Sequence, residues 1–245
     1  MKKSSIARRS AWALVIFSGL AIFAVGLGRV LRPSVPHVEV NRQQYPVVGI
    51  DVSAHNGVVD FDSVAAAGVD FVFIKASEGR TFRDPAFVRN YSAARRTPLA
   101  VGAYHFFRFE CDGISQARNL LGAIGDLHPD LPLAIDVEEW ANDATVPTAL
   151  VVERMMAMVN ELRHAGHSVI VYTNKNGHSR FLRDLDVELW ICSFTSPPLA
   201  HPWRLWQHSH VGRLPGIRGR VDMNTFNGSR DQWFQWLEEC ADSTQ

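Results

Sequence analysis

Cysteine is scarce in this chain, with three residues among 245. Cys111, Cys192 and Cys240 are too few for a disulfide scaffold or a Cys-rich zinc array, and their spacing fits no metal site. They read as small buried hydrophobes. No phosphate-cradling Gly-rich loop occurs, which removes the common nucleotide-binding signatures. No Gly-x-Ser-x-Gly elbow supports a serine triad. His105, His178, His208 and His210 lack ligand spacing with a supporting acid, so neither a metal nor another cofactor is expected. Net charge is missing too, since 25 Lys+Arg balance 25 Asp+Glu. That balance hides a segregation of sign. Up to residue 44 there are seven Lys/Arg and one acid; from Tyr45 there are 18 Lys/Arg and 24 Asp/Glu, a net charge of −6. An acidic body behind a basic head excludes the usual nucleic-acid binder.

What is present fits a globular protein. With 47% hydrophobic and 20% charged residues, disorder, collagen-like fibre and a multispan membrane protein are excluded. The length accommodates one large domain, of the α/β barrel kind, or two small ones.

Lys2, Lys3, Arg8 and Arg9 form a basic tail over residues 1–9, expected to stay in the cytoplasm by the positive-inside bias. The uncharged run 10–28 follows, long enough at roughly 27 Å of helix to cross a bilayer. It reads as a signal-anchor in the inner membrane, with the rest of the chain outside the cytoplasm. Cleavage at Ala24-Val25-Gly26 and secretion is the alternative. Residues 29–45, with Pro33 and Pro36 and no periodicity, read as a linker. The folded domain is expected over 46–240.

In that domain short apolar runs alternate with helical stretches. Strands are predicted at 46–51, 69–76, 99–107, 131–138, 168–173, 188–194, 204–209 and 219–224. Helices are predicted at 61–68, 85–96, 113–127 and 146–165, with a closing helix at 231–239. Strand–helix alternation argues for a parallel sheet, and about eight strands for its closure. The fold class is α/β: an irregular (β/α) TIM-like barrel with about five β/α units and helix-poor final strands.

Chemistry in such barrels sits at the carboxyl ends of strands. Those ends read Asp51, Lys75 to Glu78, Tyr104-His105, Asp136-Val-Glu138, Tyr172, Trp206-Gln207 and Asp222, with Trp190 on another strand. The sharpest element is the apolar run ending in Asp136-Val-Glu138. Alternate residues of a strand share a face, and two carboxylates held there repel, so one keeps its proton toward neutrality. A protonated acid beside a second carboxylate is what glycosidic cleavage requires. Tyr104, Tyr172, Trp190 and Trp206 offer flat apolar faces suited to pyranose rings.

These residues resemble the glycoside hydrolase family 25 lysozymes, the N-acetylmuramidases. The resemblance runs through Gly49-Ile-Asp51-Val-Ser-Ala-His-Asn56-Gly57, Phe73-Ile-Lys75-Ala-Ser77-Glu78-Gly79, Asp84-Pro-x-Phe87, Gly102-x-Tyr104-His105-Phe106, Asp136-x-Glu138, Tyr172-Thr173, Trp190-Ile191, Leu205-Trp206-Gln207 and Val221-Asp222-x-Asn224. It covers about residues 47 to 237. It implies an irregular barrel that cleaves the β-1,4 bond between N-acetylmuramic acid and N-acetylglucosamine in peptidoglycan. Glu138 is then the proton donor. Asp136 assists attack by the substrate's own acetamido group, and Asp51 and Asp222 are supporting carboxylates. Lys75, Glu78, Tyr104, His105, Tyr172, Trp190, Trp206 and Gln207 fall to substrate binding. The partner is a peptidoglycan glycan strand, met by a monomer held at the membrane through its N-terminal helix. Cys192 and Phe194 depart from the family, which often has a small residue and a Tyr there. A substrate-assisted chitinase also ends a strand in Asp-x-Glu, but would carry aspartates upstream where this chain has Leu131-Pro-Leu-Ala-Ile135. The competing reading from another class is a catalytically inactive, membrane-tethered peptidoglycan-binding protein of the same fold.

Overall fold

The computed structural model describes residues 38–198 and 202–242. The basic tail, the apolar run 10–28 and most of the linker lie outside them. Among the described residues no helix is long and apolar enough to cross a membrane.

Nine strands form one sheet: β1 (Val48–Val52), β2 (Phe71–Glu78), β3 (Phe82–Arg83), β4 (Ala100–Phe106), β5 (Leu133–Asp136), β6 (Val169–Asn174), β7 (Glu188–Cys192), β8 (Leu205–Gly212) and β9 (Val221–Phe226). The sheet closes because β1 pairs with both β2 and β9. β3 is a two-residue flap paired antiparallel to the end of β2, and the other strands make the barrel wall. Parallel pairing holds from β1 through β8. β9 alone among the wall strands runs antiparallel, to β8 and to β1. The reason is length: the connection 213–220 is too short for a parallel crossover, which takes a dozen or more residues. The expected all-parallel wall is corrected at this one strand.

Helices α1 (Phe61–Ala66), α2 (Phe87–Ala94), α3 (Gly113–Ile124) and α4 (Thr148–His164) fill the first four crossovers. The fifth is a short turn, Lys175–Gly177 continuing into a π-helical turn at His178–Leu182. The unit count read from the sequence is met, with a stunted fifth helix. Asp60 and Asp112 start α1 and α3 by accepting the backbone N–H of Ser63 and Ser115 at 3.2 and 2.8 Å, the usual use of Asp at an N-cap.

Two apolar layers follow from strand alternation. Val72, Ile74, Val101, Ile135, Val171 and Ile191 face outward and are buried against Leu120, Met155, Met158 and Leu162 of the helices. Phe71, Phe73, Ala134, Ile170, Trp190, Leu205 and Phe226 point inward and fill the barrel. Glycine makes room for the inner aromatics: a Cβ at Gly49 would lie 2.2 Å from the Phe71 ring, and one at Gly102 2.5 Å from that of Phe73. The last helix, α5 (Arg230–Asp242), closes the barrel floor. Its Trp233 ring stacks on Phe71 at 5.1 Å, and its Trp236 ring on Phe226 at 5.5 Å.

Two boundaries differ from expectation. The chain is already part of the domain at Val38, whose N–H donates to the Phe194 carbonyl at 3.0 Å. Tyr45 packs on Trp203 and Trp206, with ring centroids 5.7 and 6.0 Å away. Val38, Val40 and Tyr45 thus pack against the domain, while Glu39 and residues 41–44 between them are exposed. β5 ends at Asp136, so Glu138 lies just past the strand instead of on it. Extended pairing persists one step further, since the Val137 N–H donates to the Tyr172 carbonyl at 2.9 Å. The alternation survives with it: Val137 is buried among the helices while Asp136 and Glu138 face the same cleft.

Candidate active site

The inner faces of the strands open at their carboxyl ends into a cleft of about 420 Å³. Asp51, Asp136, Glu138 and Asp222 all line it, together with Lys75, Tyr104, Tyr172, Trp190 and Gln207. Asp51 near the end of β1 sits directly across from Asp222 near the start of β9. The reversal of β9 is what brings the beginning of a strand to this face.

A hydrogen-bonded frame holds Asp51. Its Oδ2 accepts from Gln207 Nε2 at 2.9 Å and from Asn224 Nδ2 at 2.8 Å. Both amides are fixed from behind. Trp190 Nε1, which can only donate, gives its hydrogen to Asn224 Oδ1 at 2.9 Å, and the Tyr172 hydroxyl gives its own to Gln207 Oε1 at 2.7 Å. With its oxygen engaged, the Asn224 amide can present only N–H to Asp51. The frame favours a charged Asp51 within a buried site.

That charge organises the other carboxylates. Burial first, and then the charge and hydrogen bond of Asp51, push Asp222 up to about 8. Burial raises Asp51 as well, but its bonds to Asn224, Gln207 and Asp222 pull it back. The pair therefore keeps its charge on Asp51 and its proton on Asp222. Glu138 is raised by burial and by the Asp51 charge, and the Tyr172 hydroxyl opposes the rise. Asp136 is driven well above the carboxylate range by burial, then by Glu138 and Asp51, with Lys75 opposing. Its Oδ1 is buried with no hydrogen-bond partner among protein atoms. A buried polar atom left unpaired is costly, so this oxygen is a place for a ligand donor.

Three of the sequence-predicted binding residues do not face the cleft. His105 is wholly buried on the opposite face of β4, its ring nitrogens paired with Ser77 Oγ at 2.8 Å and Gln116 Oε1 at 3.2 Å. Burial lowers it to about 4, so it stays neutral. Trp206 lies in the outer layer and donates to the Ser193 carbonyl at 2.8 Å. Neighbours on a strand point to opposite faces. Once Tyr104 and Gln207 face inward, His105 and Trp206 cannot. Glu78 touches the site only through Lys75, which it pairs at 2.7 Å while its other oxygen bonds Arg108 at 2.7 Å. Burial alone would raise Glu78, but the two cations outweigh it and hold it low.

The cleft also contains residues the sequence reading did not assign. Ser53, His55 and Asn56 line it from the turn after β1, Phe106 from the end of β4, and Trp140 from the loop after Glu138. Asn224 could have been found by parity, two places after Asp222. Trp140 carried no signal, being an exposed residue in an irregular loop. Cys192 lines the cleft with its thiol pushed by burial up to about 12, which leaves it an unreactive neutral group.

Converging carboxylates, with Asp222 pushed up to about 8 and Asp136 and Glu138 raised by burial, sit among aromatic plates with their one lining lysine already paired. Such a cleft repels anions and suits proton transfer to a neutral, hydroxyl-rich ligand. Fold and site together define a barrel glycoside hydrolase. The sequence model of Glycosyl hydrolases family 25 matches residues 50–217, and the chain belongs to that family. It is 32% identical over 203 residues to lysozyme M1 of Streptomyces globisporus, covering 75% of this chain and 68% of that protein. The solved family 25 glycosyl hydrolase of Bacillus anthracis superposes with a TM-score of 0.76 at 30% identity, over 82% of this chain and 97% of that one. The bacterial lysozyme of Streptomyces coelicolor gives a TM-score of 0.69 at 27% identity, over 79% and 98%.

Proposed function

We propose that this chain is a lysozyme, a muramidase that cleaves the β-1,4 bond between N-acetylmuramic acid and N-acetylglucosamine in peptidoglycan. Glu138 donates its proton to the bridging oxygen as that bond breaks. The substrate acetamido oxygen attacks the anomeric carbon from the other side, and Asp136 Oδ1 receives the acetamido N–H. Water then opens the cyclic intermediate, returning its proton to Glu138. Asp51 keeps Glu138 protonated by its charge, and Asp222 shares a proton with Asp51 at the cleft wall. Tyr104, Tyr172 and Trp190 contact sugar, and Lys75 and Gln207 hold the polar frame.

The observation that supports this reading best is the buried, unpartnered Asp136 oxygen facing the same cleft as Glu138, a carboxyl raised by burial and by the Asp51 charge. Turnover of purified peptidoglycan by Glu138→Gln tests it. General acid catalysis contributes about 10²–10⁴-fold, and a loss of that size is expected. Turnover equal to wild type removes Glu138 from the role.

The same reading has the domain working outside the cytoplasm as a monomer, tethered to the inner membrane by the apolar run 10–28 behind its basic tail. Extraction of the full chain from membranes only by detergent supports the tether. A detergent-free mature form beginning near Leu27 replaces it with secretion.

A further inference from the structure

The loop that carries Glu138 out of β5 has an unusual construction. Residues 139–142 form a tight turn, closed by the Asn142 N–H donating to the Glu139 carbonyl at 3.2 Å. Its third position is Ala141, at φ 59, the one positive-φ residue other than glycine among the described residues. That position normally takes Gly or Asn. Something other than local preference must therefore hold the turn.

The restraint is the Asn142 side chain. Its Nδ2 donates to the backbone carbonyl of Glu138 at 2.8 Å and to that of Phe107 at 2.9 Å. Its Oδ1 accepts the Phe109 N–H at 2.9 Å. One amide thus uses both hydrogens and its oxygen to tie the Glu138 peptide to the loop after β4. Neighbouring contacts reinforce the tie: Thr173 Oγ1 donates to the Val137 carbonyl at 2.7 Å, Arg180 bonds Glu139 at 2.5 Å, and Arg108 bonds the Ala141 carbonyl. Among the described residues only Asn142 bonds the backbone of Glu138 itself.

We propose that Asn142 is a positioning residue for the reaction, fixing the Glu138 carboxyl against the scissile bond through its backbone carbonyl. The proposal rests on Glu138 being the acid. Asn142 does not line the cleft. Misplacing a reacting group by about 1 Å costs about 10²-fold in rate, and ground-state binding by the aromatic walls is untouched.

The test compares wild type, Asn142→Ala, Asn142→Asp, Glu138→Gln and the Glu138→Gln/Asn142→Ala double variant. Soluble peptidoglycan oligosaccharides are the substrate, and each melting temperature is recorded. Asn142→Asp keeps the shape and the acceptor for Phe109 but loses both donors. Both Asn142 variants are expected to lose about 10²-fold in kcat with KM within about twofold. The double variant should be no slower than Glu138→Gln, because a misplaced Gln has no proton to deliver. Losses that multiply in the double variant overturn the proposal, as does a loss that only follows the unfolded fraction. A rise in KM at constant kcat overturns it too. Wild-type turnover by Glu138→Gln is a separate outcome and defeats the assignment of the acid, whatever the Asn142 variants do.

Discussion

Replacing Asp51 by Asn removes the charge on which the cleft is organised while keeping its shape. Asp222 lies across the β1–β9 pairing and is pushed up to about 8 by burial, then by the charge and hydrogen bond of Asp51. A carboxyl raised on folding contributes stability that is present below its unfolded value near pH 4 and lost as pH rises through about 8. A rise of about 4 units makes that loss on the order of 5 kcal/mol. Burial remains in Asp51→Asn, but the charge goes. A unit charge about 4 Å away at an effective dielectric near 20 is worth about 4 kcal/mol, or about 3 pKa units, as an upper bound. Asp222 should therefore fall by about one to three units. Between pH 4 and pH 8 the variant should gain about 1.4–4 kcal/mol on wild type. Asp51 is itself raised by burial, and deleting its titration acts in the same direction. Urea unfolding of both proteins at pH 4, 6 and 8 measures the gain, and carbon-13 titration of the Asp222 carboxyl measures the shift directly. The Asp51 charge also raises Glu138, so the basic limb of the kcat/KM profile should move to lower pH in the variant. Parallel stability curves, with Asp222 unmoved, refute this electrostatic account.

Three further outcomes are expected. Trp190→Phe keeps a ring beside Phe73 and Tyr172 but removes the hydrogen given to Asn224 Oδ1; chemical denaturation should show a loss of about 1–3 kcal/mol for the stranded amide, with reduced turnover. Gly113→Ala places a Cβ 1.8 Å from the Arg154 carbonyl, backbone that cannot swing aside; a destabilisation of about 1–3 kcal/mol or more is expected in thermal melts. Ala141→Gly relieves a left-handed alanine at φ 59, worth about 1–2 kcal/mol against about 0.5–1 kcal/mol for glycine's entropy; stability measured in urea should hold or rise, and a loss above about 1 kcal/mol contradicts the strain.

The strands were legible because they are buried on both faces, so Val-Phe-Ile runs stand out between helical stretches. The direction of β9 was not, since an apolar run carries no arrow; the short connection 213–220 held the clue. Asp51, Asp136 and Glu138 stood out because carboxylates ending apolar runs are conspicuous; Asp222 was read as a strand's carboxyl end and lies instead near the start of β9, brought to the cleft by the reversal of that strand. His105 and Trp206 were misplaced because adjacent strand residues were both assigned to one face, which a count of two excludes. Glu138 was read as lying on the strand; it lies just past Asp136 with its carbonyl bonded by Asn142, a contact between loops that no local pattern signals. Trp140 and the packing of Val38, Val40 and Tyr45 were missed for the same cause, being fixed by tertiary neighbours.

The most direct measurement is the identity of the new reducing end when the protein digests purified peptidoglycan. N-acetylmuramic acid at that end, formed by wild type and lost in Glu138→Gln, is the predicted result. N-acetylglucosamine at the reducing end, or release of peptide without glycan cleavage, contradicts the account.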